Sequence, residues 1–426
     1  MSVKGFPQGT QPPSAHRAHG VRKTRASTWR VIHACEHARD VLPVVEGQLA
    51  VGMRSYVMTP QGAGDAEIYL SGTEQAERRP LSLLRCWQDV RNWRRSILAC
   101  DPELAADLIH AHSFAAGMAA VRSCSCVVYD LHDCIEDFAV STGQCESGSW
   151  MGRSFRAAEQ FILARAAAVI IHSLGMKKMV EELGAPPENI FVIPDPLPHE
   201  EGPLDPIPSQ PLAPGPRTIN FVAPQVAAIA SEGYTQAARV ALEAFAQAIR
   251  EVPRSRLVLE SHPSVIPGLE REAAGLGISA RVLFLDEAAF TSAWPVAHIV
   301  LAFGPAGGAT AGRHPNPVCL KAMRNGIALL AADLPHNRDV SPDGHGCLWF
   351  APNNPRDLGA RMAFLAANAG FRKTLGNTGR LYLLETRNIA VIGRKYSDAY
   401  RHATSRRKPA GNDPGVVMLR PAASCG

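Results

Sequence analysis

The chain has 426 residues, of which 46% are hydrophobic and 19% charged, with a formal net charge of +5. That length suggests two or three domains with sizeable cores, and the composition excludes a disordered, collagenous or disulfide-stapled chain. The positive charge sits in the tails. Lys4, Arg17, Arg22, Lys23, Arg25 and Arg30 meet no acid in residues 1–30, and Arg401, Arg406, Arg407, Lys408 and Arg420 face only Asp413 after residue 400, so the body between is net acidic.

No N-terminal apolar stretch reads as a signal peptide. No run approaches the roughly 20 apolar residues of a membrane span; Phe161–Ile171 is interrupted by Arg165. The ten cysteines contain no CxxC pair and are expected to be reduced. Neither Cys124, Cys126, His132 and Cys134 nor His33, Cys35, Glu36 and His37 has the spacing of a zinc site, so no metal is expected.

After a basic, unperiodic tail over residues 1–28, short β-branched runs alternate with helical stretches. Trp29–Cys35 reads as a strand, Leu42–Val51 as a helix and Ser55–Thr59 as a strand closed by Pro60 and a turn at Gly62 and Gly64. Leu81–Ala99 is helical. Leu108–Ala111, Cys126–Leu131, Ala168–His172 and Ile190–Ile193 are strands, separated by helices over Ala115–Arg122, Gly152–Ala166 and Met176–Leu183. This is the rhythm of βαβ units and a parallel sheet. Residues 194–216 hold nine prolines and can form neither helix nor inner strand, which marks a linker.

The alternation then resumes. Thr218–Val222, Arg256–Glu260, Val282–Leu285, His298–Phe303, Ile327–Ala331 and Cys347–Phe350 read as strands. Thr235–Glu251, Gly268–Leu276, Val318–Arg324 and Pro355–Ala369 read as helices, and Leu384–Ala403 is a final helical stretch. Tyr396 and Tyr400 share one of its faces and read as packing residues. There is no internal sequence repeat. The expected fold class is α/β, with two Rossmann-like domains over 29–193 and 217–385. A crossover helix over 386–403 and a tail over 404–426 follow. Ligands in such sheets bind at the carboxyl ends of the strands, here in a cleft between the two domains.

Arg313–Val340, RHPNPVCLKAMRNGIALLAADLPHNRDV, reads as loop, helix, turn and buried strand. The segment resembles the donor-sugar segment of GT-B glycosyltransferases of the retaining family 4 (group 1) type, and the resemblance extends through most of residues 30–402. In that family the segment carries two glutamates eight positions apart; here those positions are Arg313 and Lys321. The resemblance implies transfer of a sugar from a nucleotide-sugar donor to a glycan or lipid-linked acceptor, with retention and without a cofactor or metal. It implies a role in polysaccharide or cell-envelope glycan synthesis.

DLIHAHS (Asp107–Ser113) and VVYDLHD (Val127–Asp133) are similar to two strand ends of the family's first domain. A histidine at the place of His132 faces the donor sugar there, which makes His132 the catalytic candidate. His110 and His112 are candidates on the acceptor side. In the second half, Ile219–Tyr234 stands where the family grips phosphate with arginine and lysine, but Glu232 precedes Gly233 and residues 223–231 hold no cation. The glycine-rich loop with Gly307 and Gly308, followed by Arg313, Asn316 and Lys321, is the candidate donor site, a loop leading into a helix N-terminus. Lys321 cannot accept hydrogen bonds from a ribose as a carboxylate does.

Three readings of Arg313 and Lys321 stand. They grip the diphosphate in place of the missing cations; they serve a more anionic ligand; or the donor site is lost and the scaffold binds a partner in a glycan-assembly system. No nucleic-acid partner is expected. The basic tails would give at most weak contact with anionic lipid, consistent with a cytoplasmic protein or one at the inner face of the membrane.

Overall fold

In the computed structural model, the structure describes residues 29–36, 41–59, 62–65, 83–99, 106–197, 218–227, 232–290, 294, 296–304 and 314–406. The first domain runs through β1 (Arg30–Ala34), α1 (Leu42–Leu49), β2 (Arg54–Thr59), β3 (Gly62–Asp65) and α2 (Leu83–Leu98). It continues through β4 (Leu108–Ala111), α3 (Phe114–Ser123), β5 (Val127–Leu131), α4 (Ile135–Ser141), α5 (Trp150–Leu163), β6 (Ala168–Ile171), α6 (Lys177–Glu182) and β7 (Ile190–Val192). Its sheet has the order β3-β2-β1-β4-β5-β6-β7. Six strands are parallel, and β3 pairs antiparallel with β2 at the edge.

The second domain contains β8 (Ile219–Ala227), α7 (Glu232–Ala248), β9 (Ser255–Ser261), α8 (Ile266–Gly275), β10 (Val282–Leu285), α9 (Glu287–Phe290) and β11 (Ile299–Ala302). It continues with α10 (Pro317–Arg324), β12 (Ala328–Ala332), α11 (Pro335–Arg338), β13 (Cys347–Phe350), α12 (Pro355–Ala367) and α13 (Ala369–Thr386). All six strands of its sheet are parallel, in the order β10-β9-β8-β11-β12-β13. In both sheets the inner strands are buried on both faces, which is why they read as unbroken apolar runs. The helices begin where a side chain can accept from an exposed amide: Ser113 from Ala116, Ser149 from Gly152 and Asn354 from Asp357.

Three elements differ from the sequence reading. Gly62 and Gly64 form the edge strand β3 rather than a turn. Helix α4, between Asp133 and Ser149, was not expected. Helix α13 was missed because Gly376 and Gly379 read as breakers, yet they are contact points. A Cβ on Gly376 would collide with the carbonyl of Gly326, and one on Gly379 would lie 3.3 Å from Gly346. Removing the side chain lets the helix backbone lie directly on two loops. The expected tails, and most of the proline-rich stretch, lie outside the described residues.

The last helix, α14 (Ile389–Ser405), returns to the first domain. Ile392, Tyr396, Ala399, Tyr400 and Ala403 are buried with Val31, Leu108, Val128 and Ile170 from the first sheet. Helices α1 and α14 touch backbone to backbone: a Cβ on Gly47 would lie 3.0 Å from the Ile389 carbonyl, and one on Gly393 would run into Gly47 itself. Gly393→Ala is therefore expected to lower unfolding free energy by about 1–3 kcal/mol through overpacking. Urea unfolding monitored by far-UV circular dichroism measures it, and an unchanged midpoint would contradict the close contact.

Candidate functional site

The carboxyl ends of four adjacent strands in the first domain converge on one buried carboxylate. The parallel register sets His33 of β1 beside His110 of β4. Asp130 lies near the end of β5, and His172 directly follows β6. Asp130 is enclosed. Its Oδ1 lies 2.6 Å from His172 Nε2 and 3.8 Å from His132 Nε2, and its Oδ2 lies 3.3 Å from both His110 Nε2 and His112 Nδ1. The rings of His132 and His172 stack at 4.3 Å, and those of His110 and His112 lie 4.0 Å apart. His110 has no exposed surface, and the His112 side chain is 4% exposed, whereas that of His132 is 53% exposed. Of the three histidines singled out in the sequence, only His132 therefore presents itself to the cleft.

The polar network continues inward. His33 Nδ1 lies 2.9 Å from His112 Nε2, and its Nε2 lies 2.8 Å from Gln48 Oε1. The same Gln48 oxygen accepts the Ser55 hydroxyl at 2.8 Å, and the Gln48 amide nitrogen donates to the Tyr400 hydroxyl at 2.6 Å. Tyr400 in turn lies 2.8 Å from His110 Nδ1. Tyr400 is thus more than a packing residue. It closes a ring of polar groups that begins and ends at Asp130.

Burial dominates the electrostatics of this ring. Desolvation holds the pKa of His33 at about 3, that of His110 at about 4 and that of His112 at about 3, so all three are neutral near pH 7. His172 behaves oppositely. Burial disfavours its charge, but Asp130 on one side and Asp195 on the other outweigh it and raise its pKa well above the ordinary value. Its Nδ1 faces the Ile193 carbonyl at 3.0 Å and Asp195 Oδ1 at 3.1 Å, two acceptors, so that nitrogen carries a proton. Asp130 is held well below the usual carboxylate range against its desolvation, principally by the charge of His172.

The second domain meets this rim directly. Asp339, after α11, accepts the amides of Leu174 at 2.8 Å and Gly175 at 3.3 Å across the cleft. His314 Nε2 lies 2.9 Å from Asp133 Oδ1. Behind this contact Arg387 is only 4% exposed, with Asp195 and Asp339 in its field. Asn316 caps α10: its side-chain oxygen accepts the Val318 amide, and its nitrogen donates to Phe303 and Asn337. It anchors the loop. Lys321 lies in the last turn of α10, not one turn into it, and its ammonium sits 4.4 Å over the Trp294 ring. Asn316 and Lys321 are therefore at opposite ends of one short helix. Gly307, Gly308 and Arg313 lie outside the described residues, as do residues 228–231 of the expected phosphate loop.

Beside the cleft, Cys134, Glu136, Arg156, Glu159, Lys178 and Met179 line a cavity of about 310 Å³. Burial raises Glu159 to a pKa of about 7 although it accepts from the Ile135 amide at 3.1 Å and the Tyr129 hydroxyl at 3.2 Å. No described helix is long and apolar enough to cross a membrane.

Residues 37–201 match the model of Glycosyltransferase Family 4. No curated protein sequence matches the chain. A glycosyltransferase from Rickettsia africae superposes with a TM-score of 0.58 at 10% identity, over 89% of this chain and 100% of that one. HepE from Anabaena, solved with UDP-glucose, superposes with a TM-score of 0.53 at 16% identity, over 87% of this chain and 99% of its own. Sucrose-phosphate synthase from Thermosynechococcus elongatus gives 0.50 at 14% identity, over 88% and 99%. The chain is a GT-B protein whose first domain matches Glycosyltransferase Family 4. In GT-B terms, the histidine cluster lies on the first domain's side of the interdomain cleft, and α10 lies on the second.

Sequence reasoning found His110, His112 and His132 but not their organiser. Asp130 lies two residues before His132, inside an apolar run, and a buried carboxylate there was the available signal. His172 ended an expected strand without being singled out. His33 was considered only with its sequence neighbours, whereas its true partners are on the next strand. Asp195, Asp339 and Arg387 carried no local signal, because their meaning arises only where the two domains meet.

Proposed function

We propose that the protein transfers a glycosyl group from a nucleotide-sugar donor, of the UDP type, to a glycan or lipid-linked acceptor with retained configuration. The observation that carries this reading is His132: a half-exposed imidazole at a strand end, held on a buried carboxylate and facing the cleft of a GT-B fold. HepE, of the same fold, was solved with UDP-glucose, which supports a uridine nucleotide as the donor carrier. The sugar would lie against His132, where an imidazole hydrogen-bonds a hydroxyl as the oxocarbenium-like transition state forms. The diphosphate would take the amide end of α10 and the Gly307–Gly308 loop, with Arg313 as its cation. Lys321 contributes through its stacking on Trp294, which stiffens the far end of that helix.

Calorimetric titration of the chelator-treated protein with UDP-, GDP- and ADP-sugars tests the donor. The UDP-sugar is expected to bind most tightly, and binding by none of the three in a folded sample would end this reading. With a donor in hand, His132→Ala is expected to reduce turnover by about 10²-fold while donor affinity changes only a few-fold. Equal turnover would remove His132 from the reaction.

A second reading, a non-catalytic GT-B scaffold that binds a partner or nucleotide, draws on Glu232 at the family's lysine position and on the engagement of Lys321 with Trp294. It predicts nucleotide binding with neither transfer to an acceptor nor slow hydrolysis of the donor.

A further inference from the structure

The ring around Asp130 is one hydrogen short. Six contacts join Asp130, His112, His33, Gln48, Tyr400 and His110 into a closed loop. Each contact needs one hydrogen between its two atoms. Three neutral imidazoles supply one each, Tyr400 supplies one, and Gln48 supplies one, because its amide offers nitrogen to one neighbour and oxygen to the other. The carboxylate supplies none.

The deficit can be located. Gln48 Oε1 can only accept, so His33 carries its hydrogen on Nε2. His33 Nδ1 then accepts from His112 Nε2, which leaves His112 Nδ1 as a bare lone pair facing Asp130 Oδ2 at 3.3 Å. Turning the Gln48 amide over reverses every link and moves the bare nitrogen to His110 Nε2, which faces the same oxygen at the same distance. In either case a lone pair faces a carboxylate in a buried site. Asp130 Oδ2 has no hydrogen-bond partner among the described residues. Two acceptors cannot rest against each other at low dielectric without a cation between them.

We propose that a divalent transition-metal ion of the zinc class occupies this gap, bound by His112 Nδ1, Asp130 Oδ2 and His132 Nε2. The ligand atoms these three residues offer all lie within 4.8 Å of one another. The 3.3 Å between His112 Nδ1 and Asp130 Oδ2 matches the edge of a tetrahedron, about 3.3–3.4 Å for metal–ligand distances of roughly 2.0–2.1 Å. Neutral imidazoles are what such an ion requires, and burial keeps His112 neutral. The partner that orients His112 is already present, since its other nitrogen is fixed by His33 and through it by Gln48. Asp195, 3.1 Å from His172 Nδ1, adds a second carboxylate to offset the His172 imidazolium and the ion. His132, half exposed, is the ligand on the cleft side, so the fourth position opens to the cleft and takes an oxygen from water or from a bound hydroxyl.

The test is titration of the chelator-stripped full-length protein with Co²⁺ and Zn²⁺. One equivalent of Co²⁺ is expected to bind with the visible absorption of a tetrahedral nitrogen–oxygen site, and Zn²⁺ is expected to displace it. His132→Ala and His112→Gln are expected to weaken binding by about 10–100-fold. Absence of Co²⁺ binding, or equal affinity in wild type and His132→Ala, would overturn the proposal. Because His132 is half exposed, its replacement decides the matter even if His112→Gln does not fold. The readout requires no nucleotide and no transfer activity, so it is independent of the proposed reaction.

Discussion

Unfolding free energy of the metal-free protein is expected to fall by about 3 kcal/mol for each pH unit around pH 5. His33, His110 and His112 have folded pKa values of about 3, 4 and 3, and an unfolded histidine titrates near 6.5. Their contribution is complete above the unfolded value and is lost as pH falls toward the folded ones. Between those limits the unfolded chain binds three protons that the native state refuses. Glu159 offsets one of them. Its folded pKa of about 7 keeps it protonated in the native state, where an unfolded glutamate would be ionised.

The half-buried His336 and Asp339 are shifted down and up, respectively, and cancel to first order. Two net protons correspond to about 2.7 kcal/mol per unit. Against a total stability on the order of 5–15 kcal/mol, the protein should unfold between roughly pH 4 and 5. Above pH 6.5 the slope reverses and is shallower, because His172 keeps in the native state a proton that the unfolded chain releases. Urea midpoints at pH 7, 6 and 5 in the presence of chelator measure the slope. A flat profile would mean that the three histidines are not buried in neutral form.

Asp130→Asn is expected to cost about 3–5 kcal/mol, more than any substitution on the protein's surface. The asparagine has almost the same shape, so the cost arises from charge. His172 would remain as a buried imidazolium whose closest carboxylate, at 2.6 Å, has gone. His172→Gln should be costly for the reciprocal reason. The double variant, Asp130→Asn with His172→Gln, should cost less than the two single changes added together. The shortfall should be at least about 1.5 kcal/mol, because in the double variant neither charge remains stranded. Additive costs in this double-mutant cycle would mean that the pair is not coupled and that Asp130 acts through packing alone.

The fold was legible in the sequence because doubly buried parallel strands are written as apolar runs. Leu108–Ala111, Val127–Leu131 and Ile299–Ala302 have no exposed face and so no alternation to disguise them. Glycine misled twice, at β3 and in α13. A glycine chosen for close backbone contact looks the same in a sequence as one chosen for a turn.

The site was legible in part. Strand-end position singled out His132, but neighbours along the chain are poor guides to neighbours across a sheet. His33 and His110 are 77 residues apart in the numbering yet paired in register. Gln48 and Tyr400 are separated by 352 positions. Lys321 illustrates the opposite error. A family position assigned it a ligand, while its nearest described partner is an indole 27 positions earlier. Motif alignment carries no information about such a local stacking partner.

The return of α14 also sets an order of assembly. During synthesis the strands bearing His33, His110 and Asp130 emerge well before Tyr396 and Tyr400. The first sheet then has an uncovered apolar face, and Gln48 and His110 lack their shared phenol. That half can collapse early but cannot complete its interior until the whole second half has been made. A nascent chain stalled before residue 389 should therefore hold a fully formed second sheet beside a first one still open to chaperones and proteases. Its polar centre would be the last part of the molecule to become native.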